Sequence, residues 1–373
     1  MDFAFTEEQD AVRELAVRIL GDLSTPERLK EVEASEDRID RKLWAELGSA
    51  GLLGVGLPES CGGAGLGFLA AAIVAEEVGR HAGAVPFTAT VVLAAGPIAE
   101  FGTEEQRQKW LPGVVTGQSI LTGALVEPGG DPWAPGLRAV REGDRWRLDG
   151  VKSEVPVGMV ADGMVVSARA EDGGVALFVL DPSTSGISRL AQEATDWQIE
   201  AEMEFSSVTV GPEALLVEGE AAVVALTWLL ERAATAYCLE IAGACQAAVK
   251  LTAAYTIERE QFGKPIATFQ AVGQRAADAY IDTEAVRLTS WQAAWRLAEG
   301  LPAAAEVAVA KYWADEGAQR AVHGAQHLHG GVGVDRDYPL HRHFLRTKHL
   351  ALTLGGTTPS LLRLGQILAT EPA

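Results

Sequence analysis

Arg259-Glu260-Gln261-Phe262-Gly263-Lys264-Pro265-Ile266, followed by Gln270, is the stretch whose residue types could do chemistry. A long apolar run ends there in an arginine, an aromatic and a Gly-x-Pro that stops a helix, so a cation and a ring stand together at a helix end. A guanidinium fork matches the paired oxygens of a phosphate or a carboxylate. A phosphorylated, ring-bearing ligand suits that pairing. The plainer reading is an exposed helix C-terminus with a favourable cation.

Other chemistry is weaker. His323 and His327 are spaced to share a helix face and His329 follows closely, but no cysteine lies near and Asp335 is the one carboxylate at hand, so no metal is expected. Walker, Rossmann, G-x-S-x-G and H-E-x-x-H patterns are missing from the sequence. Residues 62–67 are glycine-rich but follow no strand and lack the dinucleotide spacing, which predicts a bend before a helix.

The elements that must carry these residues follow from periodicity. Up to residue 118 the pattern is helical: Thr6-x-x-Gln9 and Thr103-x-x-Gln106 are capping boxes, and Val12, Leu15, Ala16 and Ile19 recur at helical spacing. Residues 69–78 read as a buried helix. Residues 82–99 are uncharged, and Pro86, Thr88, Thr90 and Pro97 make them a buried helix pair rather than a membrane span. From 119 to 210 the period becomes two, with strands expected at 119–126, 137–141, 146–148, 164–168, 176–180 and 203–210, and turns at Gly143-Asp144, Asp149-Gly150 and Asp172-Gly173-Gly174. Helical runs then cover 221–258, 270–298 and 303–328, with a last helix after Pro359. The expected fold is α+β: an N-terminal helical domain (1–118), an antiparallel β-barrel or sandwich (119–211) and a C-terminal four-helix bundle (212–373).

The 373 residues carry a formal charge of -20, which argues against nucleic acid or an acidic membrane as partner. Cys61, Cys238 and Cys245 are too few and scattered for a disulfide framework and suit a reducing compartment. Met1-Asp2-Phe3-Ala4 lacks the basic start of a secretory signal, so the expected location is cytoplasmic.

Arg259, then Phe262-Gly263-Lys264-Pro265 and Phe269-Gln270, resembles the start of the C-terminal domain of the acyl-CoA dehydrogenase family. Leu57-Pro58 with Gly62-Gly63-x-Gly65, Glu76-Glu77-Val78-Gly79-Arg80, and Thr103-Glu104-Glu105-Gln106 with Trp110-Leu111-Pro112 are similar to its N-terminal signatures. His327-Leu328-His329-Gly330-Gly331-x-Gly333 and Asp337-Tyr338-Pro339-Leu340, then Arg342 and Arg346, keep its later order. The plainer reading of this last group is a solvated ion-pair strip after a turn. The resemblance implies FAD, an acyl-CoA thioester as substrate and electron-transfer flavoprotein as electron acceptor. It implies that Arg259 reaches the FAD pyrophosphate of a neighbouring subunit, with Phe262, Gln270, His327, Gly330 and Gly331 in the same half-site, and that Thr357 is a further cofactor-binding residue. It also implies α,β-dehydrogenation, the opening step of β-oxidation, in which a carboxylate removes the α-proton while the β-hydrogen leaves as hydride.

Departures from the family are concentrated. Leu354-Gly355-Gly356-Thr357 stands where the family has Tyr-Glu-Gly-Thr, so Gly355 replaces the base. A second family position for the base aligns near Ala233; Glu231 and Glu240 are out of register, and Glu231 reads as a surface carboxylate near Arg232. Val126-Glu127-Pro128-Gly129-Gly130-Asp131-Pro132 is a shortened flavin loop, and Lys152-Ser153-Glu154-Val155-Pro156 puts Glu154 and Pro156 where the family has a flavin-facing Trp and Thr. All these losses fall in the half-site a subunit builds for its own flavin. That pattern is similar to bacterial α2β2 members, including those acting on steroid side-chain thioesters, and implies the subunit that lacks the base. The alternatives are a self-sufficient homotetramer with Glu231 as relocated base, and a flavin-free acyl-CoA-binding scaffold.

Overall fold

The computed structural model describes residues 4–370; Met1-Asp2-Phe3, on which the expectation of no secretory signal rests, lie outside the described residues. The chain divides into two compact units, one gathering the residues through Val12 with 33–71 and 85–233, the other 13–32, 72–84 and 234 onward.

Helix α1 (Glu7–Leu23), which starts in the first unit and runs on in the second, opens on the expected capping box: Thr6 N–H donates to Gln9 Oε1 at 3.1 Å and Gln9 N–H to Thr6 Oγ1 at 3.2 Å. Helix α2 (Pro26–Glu33) belongs almost wholly to the second unit; in the first, α3 (Arg41–Ser49) begins where the Asp40 carboxylate accepts from the Lys42 and Leu43 amides. The glycine bend before α4 (Gly67–Arg80) is a close approach rather than a ligand loop, since a Cβ at Gly63 would lie 2.2 Å from the Leu57 carbonyl oxygen.

The expected helix pair over 82–99 is corrected. A buried π-helix, Thr88–Ala95, runs into α5 (Gly96–Phe101) without a break. Its Gly96 N–H donates to the Val91 carbonyl, and the widened turn accommodates Pro97, which has no N–H to give. Helix α6 (Glu104–Val115) starts on the second capping box, formed by Thr103 and Gln106.

The sheet uses β1 (Leu121–Ala124), β2 (Arg138–Glu142), β3 (Arg145–Pro156), β4 (Gly163–Ala170), β5 (Val175–Leu180), β6 (Ile187–Glu193), β7 (Ile199–Val210) and β8 (Leu215–Glu218). Its order is β6-β7-β3-β2-β4-β5-β8. Pairing is antiparallel except that β4 runs parallel to both β1 and β2. Two expectations fail here. Asp149-Gly150 is not a turn: β3 continues through a register shift between Leu148 and Gly150, and the Asp149 carboxylate accepts from the Ser207 amide at 2.8 Å. Strand β6 was not expected because most of its residues are exposed and show no alternation.

The second unit is helical. It takes the later part of α7 (Glu220–Glu258), the short hairpin β9 (Glu260–Gln261) and β10 (Lys264–Pro265), α8 (Gln270–Ala298), and the run from α9 (Ala304–Tyr312) through a π-helical Trp313–Gly317 into α10 (Ala318–His329). Helices α11 (Leu340–Leu352) and α12 (Thr357–Thr370) complete it. Among the described residues α7 alone is long and apolar enough to cross a membrane, but 67% of that apolar window is buried, as in a core helix. Backbones of α4 and α7 touch: a Cβ at Gly79 would sit 1.9 Å from the Glu240 carbonyl oxygen, and one at Gly243 would sit 2.0 Å from that of Glu76. Helix α11 was not expected, and the solvated strip is corrected with it. Arg342 is buried, and Arg346 pairs with the buried Glu240 at 2.7 Å.

Candidate active site

Helix α7 ends at Glu258, and the Arg259 N–H closes its last turn on the Tyr255 carbonyl at 2.8 Å. The next residues fold back as a hairpin in which Lys264 faces Gln261 and Pro265 faces Glu260. Its two-residue turn, Phe262-Gly263, has φ of 55° and 77°, the left-handed pair that matches strand twist. A bulky residue rarely occupies that region, yet Phe262 does so while 93% exposed. Its ring meets Phe269 edge-on at 6.1 Å, and Lys264 Nζ lies 4.5 Å from the Phe269 ring centroid. Arg259 is exposed, and so is Gln270 at the first position of α8. The stretch read as a helix end is thus a hairpin, with cation, ring and amide all turned to solvent.

The three histidines diverge. His329 is buried and committed: Nδ1 bonds the Ala325 carbonyl at 2.8 Å, Nε2 bonds the Tyr338 hydroxyl at 3.1 Å, and the ring stacks on Tyr255 at 4.5 Å. Burial lowers its pKa, which suits a neutral ring that ties the end of α7 to the Gly330 turn. His323 is exposed with its ring edge-on to Phe344, and His327 is exposed on the last turn of α10. Gly330 ends that helix at φ 61° and ψ −136°, a conformation open to glycine, and neither Gly330 nor Gly331 has a neighbour within 4 Å of a Cβ position. Bare backbone faces outward there.

The segment expected at the base position is shaped for glycine. Leu354, Gly355 and Gly356 have φ of 60°, 116° and 75° in succession, after which the half-buried Thr357 opens α12. A Cβ at Gly355 would meet only the Pro359 side chain, at 3.3 Å, so space is not the obstacle; the backbone conformation is.

Glu231 is half-buried on α7 beside Arg232, whose guanidinium lies 4.0 Å from the Trp228 ring centroid and 5.6 Å from that of Phe68. Burial lowers the Arg232 pKa to about 10, and Glu231 and Glu100 pull the other way. Ala233 is buried. In the β-unit Lys152, with no exposed surface, donates to Glu127 at 2.6 Å and to Ser167 at 3.1 Å. Burial brings its pKa down to about 8 despite that carboxylate. Glu127 also accepts from the Gly136 and Leu137 amides, so the shortened loop is fastened to its own strand. Glu154 is exposed at φ 53°, and the Pro156 carbonyl accepts the Thr122 hydroxyl at 2.5 Å.

Comparison with known proteins decides the family. Residues 6–118 match the sequence family described as the acyl-CoA dehydrogenase N-terminal domain, and residues 223–365 match the acyl-CoA dehydrogenase C-terminal domain. The chain is 40% identical to acyl-CoA dehydrogenase FadE27 of Mycobacterium tuberculosis over 100% of both chains. It belongs to the acyl-CoA dehydrogenase family. Among solved structures it is similar to the ChsE4-ChsE5 complex from Mycobacterium tuberculosis (39% identity, TM-score 0.94, all of both chains). It is also similar to a variant of the Tcur3481-Tcur3483 steroid ACAD (46% identity, TM-score 0.91, 97% of this chain and 98% of that one).

The family's cofactor is FAD and its reaction is acyl-CoA dehydrogenation. The outward residues of the second unit fit such a group: a free-standing guanidinium for the pyrophosphate, a ring, an amide, and side-chain-free backbone at Gly330-Gly331. The β-unit residues fit it poorly, since Pro156 offers no N–H and its carbonyl is taken, and Glu154 would bring a charge against the ring. Sequence reasoning missed the Lys152–Glu127 pair and the Glu240–Arg346 pair. Each cation stood inside a quoted motif, but its partner lies 25 or 106 residues away.

Proposed function

We propose that this chain is the base-lacking subunit of a heteromeric acyl-CoA dehydrogenase, in which it completes the FAD site of a catalytic partner. Arg259 would pair with the pyrophosphate, Phe262 and Gln270 would flank it, and His327, Gly330, Gly331 and Thr357 would border the flavin. When bound, FAD supplies the hydride acceptor for α,β-dehydrogenation of an acyl-CoA thioester. This chain's own contribution is to bind, orient and exclude water.

The observation that carries the reading is Gly355 at φ 116°: the position that the resemblance assigns to the base holds no carboxylate, and its backbone favours glycine. The similarity to two heteromeric complexes, one described as a steroid ACAD, supports an unlike partner and a steroid side-chain thioester as the substrate class. Electron-transfer flavoprotein is the acceptor the family favours, and a cytoplasmic location is the compartment that suits these free thiols. The domain reading of 1–118, 119–211 and 212–373 stands with this proposal.

The rival is a homotetramer that uses Glu231 as base. Arg232, stacked on the Trp228 ring, holds a cation beside that carboxylate, which does not leave it a free approach to substrate. Expression of this chain alone and with partner candidates decides, with flavin per chain and dehydrogenation of an acyl-CoA panel as readouts. Flavin and activity that appear only with a partner, at about one flavin per pair, support the proposal. A yellow, active single chain, inactivated by Glu231→Gln, overturns it.

A further inference from the structure

Helix α12 covers one side of itself and leaves the other bare. It packs on α9, and the buried Ser360 with the half-buried Leu364 and Ile367 stand at the spacing of one helix face. The opposite side is apolar yet open: Leu361, Leu362 and Leu368 are 45%, 63% and 59% exposed. Between these leucines the exposed Gly365 and Ala369 follow one another a turn apart, and a Cβ at Gly365 would meet nothing within 4 Å. Arg363 is the one charged residue of Thr357–Thr370, in a chain of formal charge -20. On so acidic a protein, an uncharged apolar face is where a second protein surface approaches with least repulsion.

The face is complementary to itself. Where two such helices cross at Gly365, the leucines of each fall into the shallow groove of small residues on the other, and a two-fold axis gives both the same contacts. Its extent suits a second contact rather than a first. One helix face offers a patch on the order of 300–600 Å², short of the about 800 Å² per partner of a free-standing dimer. A patch of that size holds chains together once another interface has raised their effective concentration.

We propose that the exposed face of α12 binds α12 of a second copy of this chain and so joins two heteromeric pairs into one assembly. The proposal rests on the trans half-site reading, in which the surface around Arg259 and Phe262 is already given to the unlike partner.

The test uses the complex with its catalytic partner and reads mass in solution, flavin per pair and turnover. Gly365→Gln puts a better helix former into open space, so the chain stays folded while close approach of the helices is blocked. Leu362→Glu places an acidic group on each copy of the contact. The parent complex should hold two of each chain, and either variant one of each, with the dissociation constant of the halves raised at least about a hundredfold. Flavin per pair and turnover should stay within about twofold of the parent. Gly365→Cys, once oxidised, should link two copies of this chain, since a disulfide needs Cα atoms within about 7 Å; the parent should not link. The proposal fails if the parent complex is a single pair, if the variants still hold four chains, or if Gly365→Cys links this chain to its partner instead. Loss of flavin together with the loss of mass would place the unlike partner on this face and overturn it as well. A parent that binds flavin and assembles without any partner defeats the heteromeric reading instead, and Gly365→Gln then still decides whether α12 holds that assembly together.

Discussion

The Glu240 carboxylate, 1% exposed, accepts from the Arg346 guanidinium at 2.7 Å. That contact joins α7 to α11 and removes Glu240 from any list of candidate bases, because a base must meet a substrate proton rather than a permanent cation. Removing one partner of such a pair leaves a charge without compensation. Arg346→Met should cost about 3 kcal/mol, at the low end for a buried pair because the arginine is partly exposed. Urea unfolding of the purified complex measures it. Glu240→Gln, which keeps a hydrogen-bond acceptor, should cost less, and equal losses would mean that packing rather than charge is at stake.

Restoring the family's base residue should not restore a second site. Gly355→Glu places a side chain on a backbone at φ 116°, where L residues are strained by about 1–2 kcal/mol, and on the proposed reading Glu154 and Pro156 still stand where the family has its flavin-facing pair. Flavin per pair should stay at one and turnover per flavin should not rise. A variant that doubles both would show that the missing carboxylate was the single defect.

What the sequence allowed to be read was what is local. The boxes at Thr6 and Thr103 form as their spacing demands, because both partners lie within one turn. Helix α11 was hidden because Arg342 read as part of a solvated strip while it is buried, as are His341 and His343 beside it. The Arg346 partner arrives from 106 residues away. Strand β3 outran its expected end because Asp149, a turn former by composition, bonds Ser207 on the neighbouring strand. At the site, Arg259 and Phe262 could be picked out by type and order. The hairpin that turns them outward could not, since its Phe262-Gly263 turn places an aromatic where glycine or asparagine is usual.

His343 should make the fold lose stability in mild acid. Burial lowers its pKa from 6.5 to about 4, with His81, Arg342 and His341 adding like charge and the Gly79 backbone opposing. Between those values the unfolded chain takes up a proton that the folded chain refuses. The contribution is therefore fully present above 6.5 and lost as pH falls toward 4, by at most about 1.4 kcal/mol per unit. Asp315, raised to about 6 by burial, works in the opposite sense, its contribution being lost as pH rises through that value. Comparison of the parent with His343→Asn cancels the aspartate. The variant should show a flatter stability profile between pH 4 and 6.5, by nearly one linked proton. Parallel profiles would mean that His343 takes its proton inside the fold.

Phe262 offers the sharpest separation of stability from function. An aromatic at φ 55° is strained by about 1 kcal/mol or more, and an edge contact with Phe269 returns about 0.5–1.5 kcal/mol at best, less on a surface so exposed. Phe262→Asn supplies the residue that this turn type prefers. Thermal unfolding of the isolated chain should therefore rise by a degree or so, about 0.5 kcal/mol for a unit of this size. In the complex, by contrast, the same variant should release FAD several times faster if Phe262 flanks the cofactor as proposed, because the ring is lost from that surface. Gain of stability without loss of FAD would mean that the ring is displayed for something other than flavin. Loss of both would mean that the hairpin is held by Phe262 rather than strained by it.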